Sequence, residues 1–287
     1  MCLIPVMACS DPAQDTTQLS TLSTSPTTSV EEVAPSYPAD VEVEPTASPS
    51  VSPSATTPTR LRVKILEKKG HVNSAFTQGL EFHDGELYES RGRKTESGIS
   101  VIDQHDGSVV RWMPLNDQYF GEGITMVGDL LIQLTWMAGK AFIYDIKTFI
   151  QTGTFDYDGQ GWGLCFDGTA LIMSDGSSSL TVRDPETFTI QREITVKNSG
   201  VEVPFLNELE CVKDRVYANV WRTNNIVVID VSTGDVTAVI DASGLLSDEE
   251  KVGVDVLNGI AYNQTSGTFF LTGKLWLAMF EVTFEPM

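Results

Sequence analysis

Histidine and cysteine are scarce in this chain. Its 287 residues include three histidines, His71, His83 and His105, and four cysteines, Cys2, Cys9, Cys165 and Cys211. No Cys-x-x-Cys spacing occurs, and the cysteines are too few and too scattered for a disulfide framework. The histidines show no metal-ligand spacing, which argues against a zinc centre. No apolar run approaches the roughly 20 residues needed to cross a bilayer as a helix. Basic residues are few as well: 19 Lys and Arg against 39 Asp and Glu, a formal charge of -20. Such a balance disfavours nucleic acid and anionic membrane as partners, because like charge repels them. There is no Gly-x-Ser-x-Gly elbow, no phosphate-binding loop and no convincing nucleophile. Cys165 and Cys211 fall inside strand-like runs and read as small packing residues. Whatever chemistry the chain performs is left to proton transfer and charge stabilisation, and no cofactor is implied.

Residues 1–9 read as a truncated lipoprotein signal. Val6-Met7-Ala8-Cys9 has the form of a lipobox, which would make Cys9 a lipid acceptor. The apolar part is short and lacks a basic start, so either the true start lies upstream or the match is chance. Residues 10–59 are rich in Ser, Thr, Pro and acids, with hardly an aromatic. Such a segment buries too little apolar surface to offset its ordering entropy, and its prolines favour an extended spacer. Behind a lipid anchor it would hold a domain away from a membrane in the cell envelope, on the outer side of the cytoplasmic membrane or in the periplasm. Without the anchor it is a plain tail on a secreted protein.

The folded part is expected over residues 60–287, and it is strand-like throughout. Five segments align: Thr77 to Phe82, Gly121 to Met126, Gly161 to Phe166, Leu206 to Cys211 and Leu257 to Tyr262. Each is followed by a second and a third strand-like run, and four of the five by a fourth. The third runs of the first four repeats end in Asp103, Asp145, Asp184 and Asp230. A four-strand repeat of about 40–50 residues is the signature of a β-propeller blade, so five repeats predict a five-bladed β-propeller. The fifth repeat lacks an outer strand. A spare run at residues 61–66, ahead of the first repeat, is expected to join the last blade and close the ring, leaving no sheet edge exposed.

In such a ring, equivalent positions of different repeats meet. One set is Gln78, Glu122, Trp162, Asn207 and Asn258. The end of the second strand adds Trp136, Trp221 and Lys274, with Trp276 beside it and Arg91 and Asp175 near the equivalent places. Glu122 sits between Gly121 and Gly123, which allow close approach. Tryptophans around one mouth make an apolar box. A carboxylate in that box is expected to have a raised pKa and to act as general acid or base. Lys274 with the Gln and Asn amides would bind carbonyl oxygens or an oxyanion. The plainer alternative for each tryptophan alone is packing between blades, and for Lys274 a surface charge.

The segments Ala75 to Glu81, Tyr119 to Thr125, Leu134 to Trp136, Gly161 to Leu164, Ser174 to Gly176, Leu206 to Glu210, Ala218 to Trp221, Leu257 to Ile260 and Thr272 to Trp276 resemble the glutamine cyclotransferases, the glutaminyl-peptide cyclases of plant and bacterial type. The resemblance spans residues 62–284 and touches every repeat. It implies a five-bladed propeller, and a reaction in which the N-terminal glutamine of a peptide or protein cyclises to pyroglutamate and releases ammonia without a metal. By the same resemblance, Glu122 is the catalytic acid and base. Gln78, Asn207 and Lys274 bind the amide oxygens and the oxyanion, and Trp136, Trp162 and Trp221 grip the aliphatic part of glutamine. A closed ring gives no reason to expect anything but a monomer.

Two departures from the family pattern stand out. Gln160 replaces an expected Glu and Leu277 an expected Pro, placing loop shape and substrate range in question. Two rival readings remain. In one, Glu81, Glu208, Glu210, Asn207 and Asn258 supply hard oxygen ligands for a calcium-dependent, lactonase-like hydrolase. In the other, the tryptophan box is the pocket of a non-catalytic envelope binding protein.

Overall fold

The computed structural model describes residues 57–72 and 74–287. Cys9 and all but the last residues of the spacer lie outside them. The described residues form an all-β protein with no helix.

Strand β1 (Thr59–Gly70) comes first. The first repeat forms the antiparallel sheet β2 (Thr77–His83), β3 (Glu86–Arg91), β4 (Gly98–Ile102) and β5 (Val109–Pro114). The second forms β6 (Gly121–Val127), β7 (Leu130–Thr135), β8 (Lys140–Asp145) and β9 (Gln151–Asp156). The third forms β10 (Leu164–Phe166), β11 (Leu171–Ser174), β12 (Ser179–Arg183) and β13 (Ile190–Thr195). A small hairpin, β14 (Lys197–Asn198) with β15 (Val201–Glu202), precedes the fourth repeat. That repeat comprises β16 (Leu206–Val212), β17 (Arg215–Val220), β18 (Asn225–Asp230) and β19 (Val236–Asp241). The last comprises β20 (Leu257–Asn263), β21 (Thr268–Gly273) and β22 (Ala278–Pro286).

Three repeats thus form separate four-stranded sheets, whereas the last two share one of eight strands in the order β16-β17-β18-β19-β1-β22-β21-β20. Strand β1 causes the fusion. It runs antiparallel to β22 from Leu61↔Pro286 to Gly70↔Ala278, and its start lies parallel to β19 from Thr59↔Ala238 to Arg62↔Asp241. Both edges of β1 therefore find partners, which satisfies backbone groups an unpaired edge would expose.

In the first three repeats burial falls from the first strand to the fourth: β2 begins with four buried residues, while β5, β9 and β13 are largely exposed. In the fourth repeat β19, which pairs with β1, stays mostly buried. Five hydrophobic clusters among the described residues lie between consecutive repeats. Ile99 packs with Ile124, Leu134 with Leu171, Leu180 with Leu209, and Val228 with Phe269. The fifth cluster joins last to first, Phe270 with Leu80. The first strands likewise contact one another in the order β2, β6, β10, β16, β20 and back to β2.

The aspartates that end the third runs have a local cause. Asp145 Oδ1 accepts from the backbone N–H and hydroxyl of Thr148, and Asp184 Oδ1 does the same with Thr187. These side-chain-built turns direct the chain into the outer strand.

Three expectations need correction. Cys165 and Cys211 are not separate packing residues but form a disulfide, with Cα atoms 5.4 Å apart. They stand near equivalent places on β10 and β16, which are neighbours, so the topology brings together residues 46 apart in sequence. The first strand of the third repeat is only Leu164–Phe166; ahead of it Trp162 N donates to Ser174 O of β11 and Trp162 O accepts from Gly123 N of β6. Finally, the β14–β15 hairpin was not foreseen; two-residue strands carry no readable alternation.

Candidate active site

One position explains why the first strands approach so closely. The third residue of the aligned segments is Gly79, Gly123, Gly163, Glu208 and Gly259. A Cβ on Gly79 would stand 2.7 Å from Ile124 N, and one on Gly123 would stand 2.6 Å from Leu164 N. A Cβ on Gly163 would collide with Asn207 O. Only glycine permits backbone to meet backbone here. Glu208, the exception, does something else. Its Oε1 accepts from Leu80 N at 3.2 Å and its Oε2 from Ile260 N at 2.8 Å, tying three first strands together.

Four of the five residues that precede these line one cavity of about 390 Å³. Gln78, Glu122, Trp162 and Asn207 line it, and so do Trp136, Trp221 and Lys274 from the ends of second strands. All seven binding and catalytic candidates therefore meet. Asn258 does not reach the cavity. It is fully buried, and its amide donates to Thr77 O at 3.1 Å. Trp276 also packs away from it, donating from Nε1 to Asp255 O at 2.9 Å. Arg91 turns to Glu89, and Asp175 caps Ser177 N.

Glu122 is 4 % exposed. Gln78 Nε2 donates to its Oε1 at 2.9 Å. Burial pushes the carboxyl well above the ordinary carboxylate range, and the positive charge of Lys274 works against that rise. Lys274 follows Gly273 at the end of β21 and is also buried. Burial pulls its pKa down, while the charges of Glu122 and then Asp255 pull it up. Its ammonium lies 5.0 Å from the centre of the Phe76 ring, where the aromatic face stabilises a desolvated cation. The result is an acid and a base, each drawn toward neutrality by burial and toward charge by the other.

The aromatic walls are held from behind. Trp162 and Trp221 meet edge to face, centroids 5.5 Å apart, and Trp136 leans on Phe120 at 5.6 Å. Gln160 Oε1 accepts from Trp136 Nε1 at 2.7 Å and from Trp162 Nε1 at 3.0 Å, so one carbonyl orients two indoles. Arg222 lies across Trp221, its guanidinium 4.2 Å from the ring centre. Arg222 and Leu275, directly after Trp221 and Lys274, both adopt left-handed backbone with φ of 63°. That conformation costs energy outside glycine; here it turns the chain sharply just after the two side chains that face the cavity. Asn207 Oδ1 is buried with no hydrogen-bond partner.

Sequence reasoning missed Phe76, Phe120, Gln160, Arg222, Asp255 and Val256. A signal existed for four of them. Two residues before the aligned set stand Phe76, Phe120, Gln160, Phe205 and Val256. The first two and the last line the cavity, Gln160 orients its walls, and Phe205 packs on Trp221 at 6.0 Å. Arg222 and Asp255 lie outside any repeating offset and had no such signal.

The three carboxylates of the calcium reading are buried or packed within the first strands. Glu208 is committed to two backbone N–H groups, Glu81 accepts from Thr125, and burial pushes the carboxyls of Glu81, Glu208 and Glu210 well up. Among the described residues no group of three His, Cys, Asp or Glu has the spacing to hold a cation.

Fold and cavity together define an all-β protein with a buried carboxyl–ammonium pair at the floor of a tryptophan-walled pocket. The sequence pattern of glutamine cyclotransferases matches residues 40–284. The glutaminyl-peptide cyclotransferase of Arabidopsis thaliana is 36% identical over 226 residues, which cover 77% of this chain and 70% of the plant protein. The crystal structure of Myxococcus xanthus glutaminyl cyclase is similar with a TM-score of 0.73 and 36% identity, covering 80% of this chain and 99% of that one. The chain belongs to the glutamine cyclotransferase family and is an enzyme of that class.

Proposed function

We propose that the protein converts the N-terminal glutamine of peptides or proteins to pyroglutamate and releases ammonia, by proton transfer without a metal. The α-amine nitrogen bonds to the side-chain carboxamide carbon, and the bond from that carbon to the amide nitrogen breaks. The amine gives up one proton and the departing nitrogen takes one. Glu122 carries that proton from the first nitrogen to the second. Its elevated pKa suits both halves of the transfer, an effect worth about 10²–10⁴ in rate.

Lys274 stabilises the oxyanion that forms when the amine adds to the carbonyl. Gln78 holds Glu122 in place. Trp136, Trp162 and Trp221 confine the aliphatic carbons of glutamine in a bent conformation, which brings amine and carbonyl together. The observation that carries this reading is the cavity that brings Glu122 and Lys274, both buried, together with the Asn207 amide and the indoles of Trp136, Trp162 and Trp221.

The cyclic contacts of the first strands and the core joining last repeat to first support a five-bladed propeller. They also support residues 60–287 as one catalytic domain; the proposal includes a monomeric state and a preceding spacer. The Cys165–Cys211 disulfide favours an oxidising compartment, in keeping with the cell envelope or secretion. Lipidation of Cys9 is part of that proposal.

The test is ammonia release from a short peptide with N-terminal glutamine, with the product identified by its mass loss. Release that persists in excess chelator is expected. Loss of activity in chelator, restored by a divalent cation, would contradict the metal-free mechanism.

A further inference from the structure

The cavity has a charge problem that its assigned residues do not solve. An N-terminal amine has a pKa of about 7.7–8.0 and arrives mostly as a cation near neutral pH. Lys274 and Arg222, both cationic, line the cavity it must enter. Glu122 is the only carboxyl among the assigned residues, and it is buried, where burial disfavours its charged form and the charge of Lys274 works against that. One other acid lines the cavity, Asp255, and it is exposed.

Asp255 is built into place. Its backbone N–H donates to Lys274 O at 2.9 Å, and Lys274 N donates to Val256 O at 2.9 Å. These two bonds lock the segment ahead of β20 to the turn that carries Lys274. The Asp255 carbonyl is fixed by Trp276 Nε1 at 2.9 Å. Its side chain is oriented by Val256 N, which donates to Oδ1 at 2.8 Å, while Oδ2 has no hydrogen-bond partner among the described residues. Lys274 therefore shares the cavity with two acids of different kind: Glu122, which is buried, and Asp255, which is exposed.

We propose that Asp255 is the anchor for the substrate's N-terminal ammonium. It receives the cation beside Lys274 and Arg222 and offsets their repulsion; the ammonium then gives its extra proton to solvent, and Glu122 exchanges protons with the neutral amine. This inference rests on the cyclotransferase reading.

The experiment uses the full chain carrying Glu122→Gln, so that ligand is bound but not consumed. Two ligands are compared by calorimetry at pH 6.5: a glutaminyl dipeptide amide, and its analogue with a hydroxyl in place of the α-amine. Adding Asp255→Asn keeps an oxygen to accept from Val256 N. It is expected to weaken the amine ligand at least tenfold and the hydroxyl analogue less than twofold. Equal weakening of both ligands, or no weakening of either, overturns the anchor while leaving the cyclotransferase reading intact. Failure of the Glu122→Gln parent to bind either ligand, together with no ammonia from the wild type, overturns that reading and the anchor with it.

Discussion

Gln78 Nε2 donates a 2.9 Å hydrogen bond to Glu122 Oε1, joining the heads of two neighbouring first strands inside the cavity. An N–H donor favours the carboxylate over the carboxyl. Gln78→Leu should therefore raise the pKa of Glu122 further and move the acidic limb of the kcat profile to higher pH. A hydrogen bond to a charged group is worth about 1.5–3 kcal/mol, so kcat near neutrality should fall roughly tenfold or more. Lys274→Met should move the same limb in the same direction, because its charge also lowers the Glu122 pKa, and should raise KM as well. The pH–rate profiles of the two variants check this; limbs that coincide with the wild type's would mean neither residue tunes Glu122.

Gln160 orients two of the three tryptophans through one carbonyl. In Gln160→Leu both indoles lose their acceptor, and KM should rise several-fold with a smaller change in kcat. Gln160→Glu should behave like the wild type, because a carboxylate oxygen accepts from both N–H groups equally well. If the Leu and Glu variants have the same KM, the bridge does not position the walls.

The Cys165–Cys211 disulfide spans 46 residues and links the third and fourth repeats. Loop-closure entropy for that length is worth about 4 kcal/mol. Replacing both cysteines with serine should lower the unfolding free energy by about that amount, with kcat preserved, since the pair lies in the core cluster and not in the cavity. Denaturant titration under oxidising and reducing conditions gives the comparison. Equal stability in the two would mean that the bridge contributes nothing.

His71 is a buried ionisable group outside the cavity, held at both ring nitrogens. Its Nδ1 faces Trp276 O and its Nε2 faces Glu89 Oε1, each at 2.9 Å. Both partners are acceptors, so both ring nitrogens must carry protons. Arg91 and Thr77 also donate to Glu89. For His71, burial pulls the pKa down, but Glu89 and the Trp276 carbonyl outweigh it and the net shift is upward. The Glu89 carboxyl is brought down to about 2 by His71, Arg91 and Thr77, against the opposing effect of burial. The His71 contribution is complete below pH 6.5 and fades as pH rises through the higher folded pKa; that of Glu89 is complete above pH 4.5 and fades as pH falls toward 2. Breaking a buried pair costs about 3–5 kcal/mol. The gap in melting temperature between wild type and Glu89→Gln should be widest between pH 4.5 and 6.5 and narrow on both sides. A gap independent of pH would refute the ion pair.

The strand order and the convergence of the site were legible because the repeat is written in local chemistry. The five aligned segments mark inner strands, and Asp103, Asp145, Asp184 and Asp230 mark the turns into outer ones. Stacking equivalent positions of the repeats places Gln78, Glu122, Trp162 and Asn207 together. What stayed hidden depends on distances no periodicity encodes. Gln160 counted as a departure from a pattern, although its carbonyl serves two indoles. Glu208 looked like a metal ligand, and is instead a bracket for backbone N–H groups. Asp255 lies in an irregular segment, and only the backbone bonds to Lys274 reveal its place. The disulfide was missed for a different reason: Cys165 and Cys211 were weighed as isolated residues, and not as near-equivalent positions of adjacent repeats.

The central claim is that Glu122 moves the proton between attacking and departing nitrogen. Ammonia release from an N-terminal glutaminyl peptide by Glu122→Gln, at saturating substrate and with the fold checked by its melting temperature, tests it most directly. The account predicts unchanged folding and a kcat lowered by about 10²–10⁴. Turnover within a few-fold of the wild type would contradict it.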